Sequence, residues 1–234
     1  MANPYFQFKQ FTIWHDKTAM KVGTDGVLLG AWATVENNDS VLDIGAGTGL
    51  IALMMAQRGA SAVDAVEIDE DAFLQTCENV AHSQWNTVVT PVHVDINDFS
   101  SEKQYHRIIS NPPFFNNALL SPEQKRTVAR HSVGLSWNVL IQKAFELLLP
   151  DGSFAVVLPW PDAKQFISTA IISGFYESRI CLIASREGKE PNRVLLEFTK
   201  LKKQNDQSTL LIRDNDNVYT SDYINLTRDF YLKF

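Results

Sequence analysis

The chain has 234 residues, 45% hydrophobic and 21% charged, with a formal net charge of −6. This supports one large domain, or one domain with a small extension, around a core that needs no covalent staples. The charge excludes a surface basic throughout for indiscriminate nucleic-acid binding, two cysteines (Cys77 and Cys181) exclude a disulfide framework or zinc cluster, and no apolar run approaches the roughly 18 residues of a membrane span.

The first residues, Met1-Ala2-Asn3-Pro4-Tyr5-Phe6, lack the charged lead and apolar core of a secretory signal. With so few cysteines this fits a reducing cytoplasm. The first 40 residues are aromatic-rich and irregular, and are expected to wrap a sheet. Val41-Leu42-Asp43-Ile44 predicts a strand, then a glycine-rich turn, then a helix from Leu50 to Arg58 stopped by Gly59. Val63 to Ile68 predicts a second strand. Asp69 to Ala81 has helical spacing, with Phe73, Cys77 and Val80 on one face. Val88 to Val94 and Arg107 to Ser110 predict two more strands. Residues 136–149 form an amphipathic helix ended by Pro150-Asp151-Gly152, Phe154 to Leu158 a fifth strand, and Ala163 to Ile172 another helix.

Ser178 to Ala184 and Arg193 to Lys200 predict two strands joined by a loop too short for a helical crossover, so this pair is antiparallel. The last 30 or so residues read as an extended or helical tail. Strands alternating with helices predict a doubly wound, mostly parallel seven-stranded α/β sheet with helices on both faces. The whole chain is expected to be one domain, with residues 1–40 covering a ligand site, 41–200 as core and 201–234 packing on it.

The strongest local signal is Asp43-Ile44-Gly45-Ala46-Gly47-Thr48-Gly49, between a strand and a helix. Open α/β sheets bind nucleotides at such turns, where glycines let a ligand approach the backbone. The G-x-G-x-G spacing is not the dinucleotide G-x-G-x-x-G, and no lysine follows in the phosphate-loop pattern. Asp43 would repel a pyrophosphate and suits a ligand with a cationic amino-acid end, such as S-adenosyl-L-methionine. Glu67, at the end of the second strand, is placed to accept ribose hydroxyls. Asp69 is its rival, but is better placed to cap the next helix. Asp95, after the third strand, could accept from an adenine amine, or be a solvated turn residue. Ile68 and Ile96, beside these carboxylates, complete that half of the candidate cofactor set.

Asn111-Pro112-Pro113-Phe114 follows the fourth strand directly. The pattern suits methylation of an exocyclic amine. Asn111 Oδ1 and the Pro112 carbonyl can hold the amine hydrogens, the prolines stiffen the loop, and Phe114 offers a face for a base to stack on, worth about 1–3 kcal/mol. Such a reaction needs positioning more than a strong base.

These two motifs, with the terminal hairpin, resemble the class I S-adenosylmethionine-dependent methyltransferases, whose Rossmann-like fold this chain is expected to share. The Asn-Pro-Pro-aromatic form is similar to the branch that methylates amines. A narrower resemblance is carried by Phe11-Thr12-Ile13, Ala19 through Trp32, Asn111 to Phe115, Arg126, Ala129-Arg130-His131 and Phe230-Tyr231-Leu232-Lys233-Phe234. This pattern resembles the bacterial valine-tRNA adenine-37 methyltransferases. It implies N6-methylation of adenine 37 in the anticodon loop of valine tRNA, with no membrane or obligate protein partner. The nearest alternative is an amino-methyltransferase for rRNA or for a glutamine amide of a release factor.

The resemblance also implies that Lys21, Gly23 and Thr24 belong to the cofactor pocket, and Lys21 could pair with a ligand carboxylate. Lys125, Arg126, Arg130 and His131 are the candidate RNA contacts, with Lys9, Lys17, Lys21, Arg186, Lys189 and Arg193 as possible additions to a basic patch. His15, His82, His93 and His106 have no metal-ligand spacing, and no metal is expected.

Overall fold

The computed structural model describes residues 3–18, 20–113 and 135–234. In chain order the elements are β1 (Tyr5–Gln7), β2 (Thr12–Trp14), α1 (Thr24–Trp32), β3 (Ser40–Ile44), α2 (Leu50–Gln57), β4 (Ala62–Glu67), α3 (Glu70–Ala81), β5 (Val89–His93) and β6 (Tyr105–Ser110). Then follow α4 (Trp137–Leu147), β7 (Leu148–Pro159), α5 (Trp160–Ile172), β8 (Tyr176–Arg186), β9 (Arg193–Thr199), β10 (Asp206–Arg213) and α6 (Ser221–Thr227).

The main sheet has the order β10-β8-β9-β7-β6-β3-β4-β5. β9 pairs antiparallel with β7 and β8, and the other pairings are parallel. The mostly parallel sheet with its antiparallel hairpin is the architecture the sequence predicts. From β3 the chain steps one way through β4 and β5, then returns to place β6 on the other side of β3. That reversal opens a crevice at the carboxyl ends of β3 and β6, where open α/β sheets bind ligands.

Strand alternation sends successive side chains to opposite faces. Val41, Val63, Ala65, Ile109, Ala155 and Val157 pack under α1 and α2. Leu42, Ile44, Ile108, Phe154, Val156 and Leu158 pack under α4 and α5. In α4, Leu140, Ile141, Ala144 and Leu147 form the buried stripe, and Ser136 caps the helix by accepting from Val139 N. Each buried Leu or Ile contributes roughly 1.5–3 kcal/mol.

Among the described residues the sheet has eight strands, not the expected seven. β10 arises from the segment read as a tail and pairs with β8 at the sheet edge. Only Leu210 of its eight residues is buried, so the alternation that marks a strand is nearly absent. α1 lies in the stretch read as irregular. Val27 to Trp32 are all buried, so it shows no polar face, and Gly26 and Gly30 lower its propensity. Gly30 has a packing reason: a Cβ there would stand 2.6 Å from Met54 Sδ on α2. α4 ends at Leu147, and Pro150-Asp151-Gly152 lies within β7, where the register against β6 shifts.

The ends of the chain are joined. β1 and β2 form a hairpin, Phe8 bridges to Tyr231, and Lys9 Nζ donates to the carbonyls of Arg228 (2.6 Å) and Phe234 (2.7 Å). Stacked and edge-on contacts link Phe6, Phe8, Tyr231, Tyr223 and Phe234. Among the described residues, no helix is long and apolar enough to cross a membrane.

Candidate active site

At the end of β3 the chain turns sharply. Gly45 N and Ala46 N both donate to Val66 O on β4 (2.9 and 3.0 Å), and Gly49 N returns to Ala46 O at 2.9 Å. Gly45 and Gly47 have φ of +74° and +61°, a region that strains other residues. A Cβ at either position would meet nothing within 4 Å among the described residues. The backbone conformation, not crowding, therefore demands glycine, and both α-carbons face open space.

Glu67 braces this turn from below. Its Oε2 accepts from Gly47 N (2.8 Å), and its Oε1 accepts from Ile68 N (2.8 Å) and Asp69 N (2.9 Å). The carboxylate is 8% exposed, so it fixes the loop as well as standing near any ligand there. Asp69 accepts from Ala72 N as the cap of α3, the role its position predicts.

Asp43 lies deeper than a ligand contact would. It shares its face with Val41 and is fully buried, with Oδ2 accepting from Ala52 N of α2 at 3.1 Å and Oδ1 without a hydrogen-bond partner among the described residues. Burial pushes its carboxyl from 3.8 to about 7; the Ala52 hydrogen bond opposes this and nearby Glu67 adds to it. It stands behind the glycine loop, not in the cleft wall.

The cleft is about 390 Å³. One wall is Met20 to Gly26, the other Gly45 to Thr48 with Leu50 and Ile51, and Asn111 closes the end. A smaller pocket of about 30 Å³ shares Gly45 and is lined by Ile44, Val66, Ile68, Val94, Asp95, Ile96 and Leu135. Ile68 is 46% exposed there, an apolar surface left bare at the end of β4. Asp95 Oδ1 accepts from Asn97 N and Nδ2, both at 2.8 Å, closing the turn after β5. Ser110 Oγ donates to Ile44 O at 2.8 Å, holding the end of β6, and so Asn111, against β3.

Of the residues singled out from sequence, Lys21, Gly23, Thr24, Gly45, Ala46, Gly47, Thr48 and Asn111 line the main cleft. Ile68, Asp95 and Ile96 line the second pocket. Gly49 caps α2 against Thr76, and Asp43 and Glu67 sit behind the loop. Pro112 and Pro113 follow Asn111 without lining either space. Phe114, Lys125, Arg126, Arg130 and His131 lie outside the described residues.

Several suggested basic contacts have partners within the fold. Lys9 holds the C-terminal carbonyls, Lys17 pairs with Glu78, Arg186 donates to Asn217 Oδ1 at 2.9 Å, and Arg193 pairs with Asp25 at 2.9 Å. Sequence reasoning missed Asp25, Gly26, Leu50 and Ile51 in the cleft wall and Leu135 in the second pocket. α1 itself had been hidden, so its first turn carried no signal. At the same end of the sheet Trp160 is 40% exposed, its backbone N–H donating to Asn192 O.

The donor set fits S-adenosylmethionine. Open glycine α-carbons admit a nucleoside close to the backbone, Lys21 offers a cation to a carboxylate, and Ile68 and Ile96 offer apolar faces beside the Asp95 acceptor. The volume falls within the usual range of small-molecule sites.

Residues 23–166 match the family model described as Methyltransferase small domain. The chain is 45% identical over its full length, and over all of the relative's, to the tRNA1(Val) (adenine(37)-N6)-methyltransferase of Bacteroides fragilis. Among solved structures it is similar to a predicted O-methyltransferase from Agrobacterium tumefaciens, with a TM-score of 0.68, 17% identity and coverage of 88% of this chain and 96% of that one. It is also similar to the T. thermophilus 16S rRNA N2 G1207 methyltransferase in complex with AdoMet and guanosine (TM-score 0.59, 21% identity, 84% of this chain and 50% of that one). At these identities the two structures speak for the fold.

Proposed function

The chain belongs to the tRNA1(Val) (adenine(37)-N6)-methyltransferase family, and from that premise we propose that its cleft binds S-adenosylmethionine and presents Asn111 to the N6 amine of adenine 37 in a valine tRNA. The observation that carries this reading is the placement of Asn111 in the same cleft wall system as Gly45 to Thr48, across the β3–β6 crevice.

The bound cofactor would supply an electrophilic methyl on a sulfonium. This chain's residues do the rest by position. Lys21 and the loop of Gly45 to Thr48 hold the amino-acid end and its neighbours. Glu67 would hold the glycine loop from behind where the ribose would lie, and Asp95 with Ile68 and Ile96 would take the adenine. Asn111 Oδ1 and the Pro112 carbonyl accept the hydrogens of the target amine. That contact favours a tetrahedral nitrogen with a usable lone pair, and orients it within the cleft. The base has to leave its stack to reach this depth, which is cheap in an anticodon loop. Phe114 is the candidate stacking face, and Arg126 and Arg130 the candidate phosphate contacts.

The reading is tested by calorimetry with S-adenosylhomocysteine and with NAD. Binding of the first and not of the second supports it; binding of NAD alone overturns it.

A further inference from the structure

The sequence places Phe73, Cys77 and Val80 on one apolar face of α3. The structure turns a different stripe inward: Ala72, Gln75, Thr76, Asn79 and Val80 are the buried residues. Three of these five are polar, and Gln75, Thr76 and Asn79 are 0%, 0% and 1% exposed. Burying polar groups on a helix is costly unless each finds a partner.

Gln75 Nε2 donates to Glu78 Oε2 at 3.2 Å, and the other partners are main-chain atoms of the glycine loop and of the segment from Trp14 to Lys17. Thr76 Oγ1 donates to Gly47 O at 2.8 Å. Gln75 Oε1 accepts from Lys17 N at 3.1 Å. Asn79 makes three bonds. Its Oδ1 accepts from Trp14 N (2.9 Å), and its Nδ2 donates to Trp14 O (2.9 Å) and Thr48 O (2.8 Å). Both amide hydrogens are used, and a flipped amide would face Trp14 N–H with its own donor and two carbonyls with its oxygen. The orientation is therefore fixed by the network.

Trp14 ends β2, and the chain from there runs toward the wall formed by Met20 to Gly26. Thr48 belongs to the opposite wall. One buried side chain thus joins the N-terminal strap to the glycine loop. The exposed Lys17–Glu78 pair nearby is worth little by comparison.

We propose that Asn79 is a positioning residue for cofactor binding, fixing the spacing between the strap and the glycine loop before the ligand enters. This rests on the reading of the cleft as the S-adenosylmethionine site. A pocket held in its bound shape avoids the cost of ordering two segments at the moment of binding.

The test uses the full chain with Asn79→Ala and, should that variant fold poorly, Asn79→Asp, which keeps an acceptor for Trp14 N–H but offers no donor to Thr48 O. Calorimetry with S-adenosylhomocysteine should give a Kd raised about tenfold, the effect of losing a well-made buried hydrogen bond. The KM for tRNA, and kcat at saturating cofactor, should stay within about twofold. Hydrogen exchange of the unliganded protein should quicken over residues 12–18 and 45–50. Leu74→Ala, on the exposed side of the same helix, should change none of these. Wild-type binding with an unchanged Kd in both variants overturns the proposal. So does a loss of cofactor and tRNA affinity in parallel with melting temperature, without local exchange changes. Failure of the wild type itself to bind S-adenosylhomocysteine refutes the cofactor reading, and the proposal with it.

Discussion

Asp43→Asn isolates the cost of a charge that the fold buries. The carboxyl is fully buried, with one oxygen on Ala52 N and the other without a partner among the described residues, and its pKa rises from 3.8 to about 7. A shift of about three units corresponds to about 4 kcal/mol, an order-of-magnitude figure. The folded state holds this proton more tightly than the unfolded chain. The unbound protein therefore loses stability as pH rises from about 4 to about 7, and above that carries the full cost of the buried charge. Asparagine keeps the shape and the acceptor for Ala52 N without the charge. At about pH 8 the variant should melt higher, by roughly 2–4 °C for each kcal/mol recovered. At about pH 4 the two proteins should melt nearly together, so the wild-type pH slope is flattened. Thermal melts of both proteins without ligand, across that range, give the answer. Parallel curves, or a variant that melts lower at pH 8, would refute the argument that Asp43 is a desolvated charge.

Asn111→Ala should lower kcat about a hundredfold or more, since catalysis here is positional, while S-adenosylhomocysteine binds within about twofold of wild type; equal turnover removes Asn111 from the reaction. Glu67→Gln sets an amide N–H₂ among three backbone donors, so it should cost about 1–3 kcal/mol of stability and weaken cofactor binding. An unchanged melting temperature would mean that the loop does not depend on that carboxylate. The double variant Arg126→Ala, Arg130→Ala should weaken tRNA binding and reduce the salt dependence of log K by roughly two phosphate contacts. A slope equal to wild type takes both residues off the RNA surface.

The parallel sheet was legible because its strands are buried on both faces and read as short apolar runs, such as Val41 to Ile44 and Phe154 to Leu158. The antiparallel pair was legible because the loop from Ser185 to Asn192 cannot hold a crossover helix. The glycine loop and Asn111 were legible because rare backbone conformations and a double proline restrict residue choice. Elements without contrast between faces were not. α1 is buried nearly all round and β10 is exposed along most of its length, whereas α3 was legible as a helix capped by Asp69 and only its largely polar buried stripe was not. Asp43 was identified as important but placed wrongly in depth. It is fully buried on the face it shares with Val41, behind the glycine loop, and the cleft wall begins only at Gly45. Lys9 and Lys17 looked available for RNA because sequence cannot show that Arg228, Phe234 and Glu78 already take their ammonium groups.

The most direct test of the central claim is methyl transfer from labelled S-adenosylmethionine to total tRNA lacking the modification, followed by nucleoside analysis and mapping. The account predicts labelled N6-methyladenosine at position 37 of valine tRNA, lost in Asn111→Ala. Label confined to rRNA or protein, or a labelled nucleoside other than N6-methyladenosine, would contradict it.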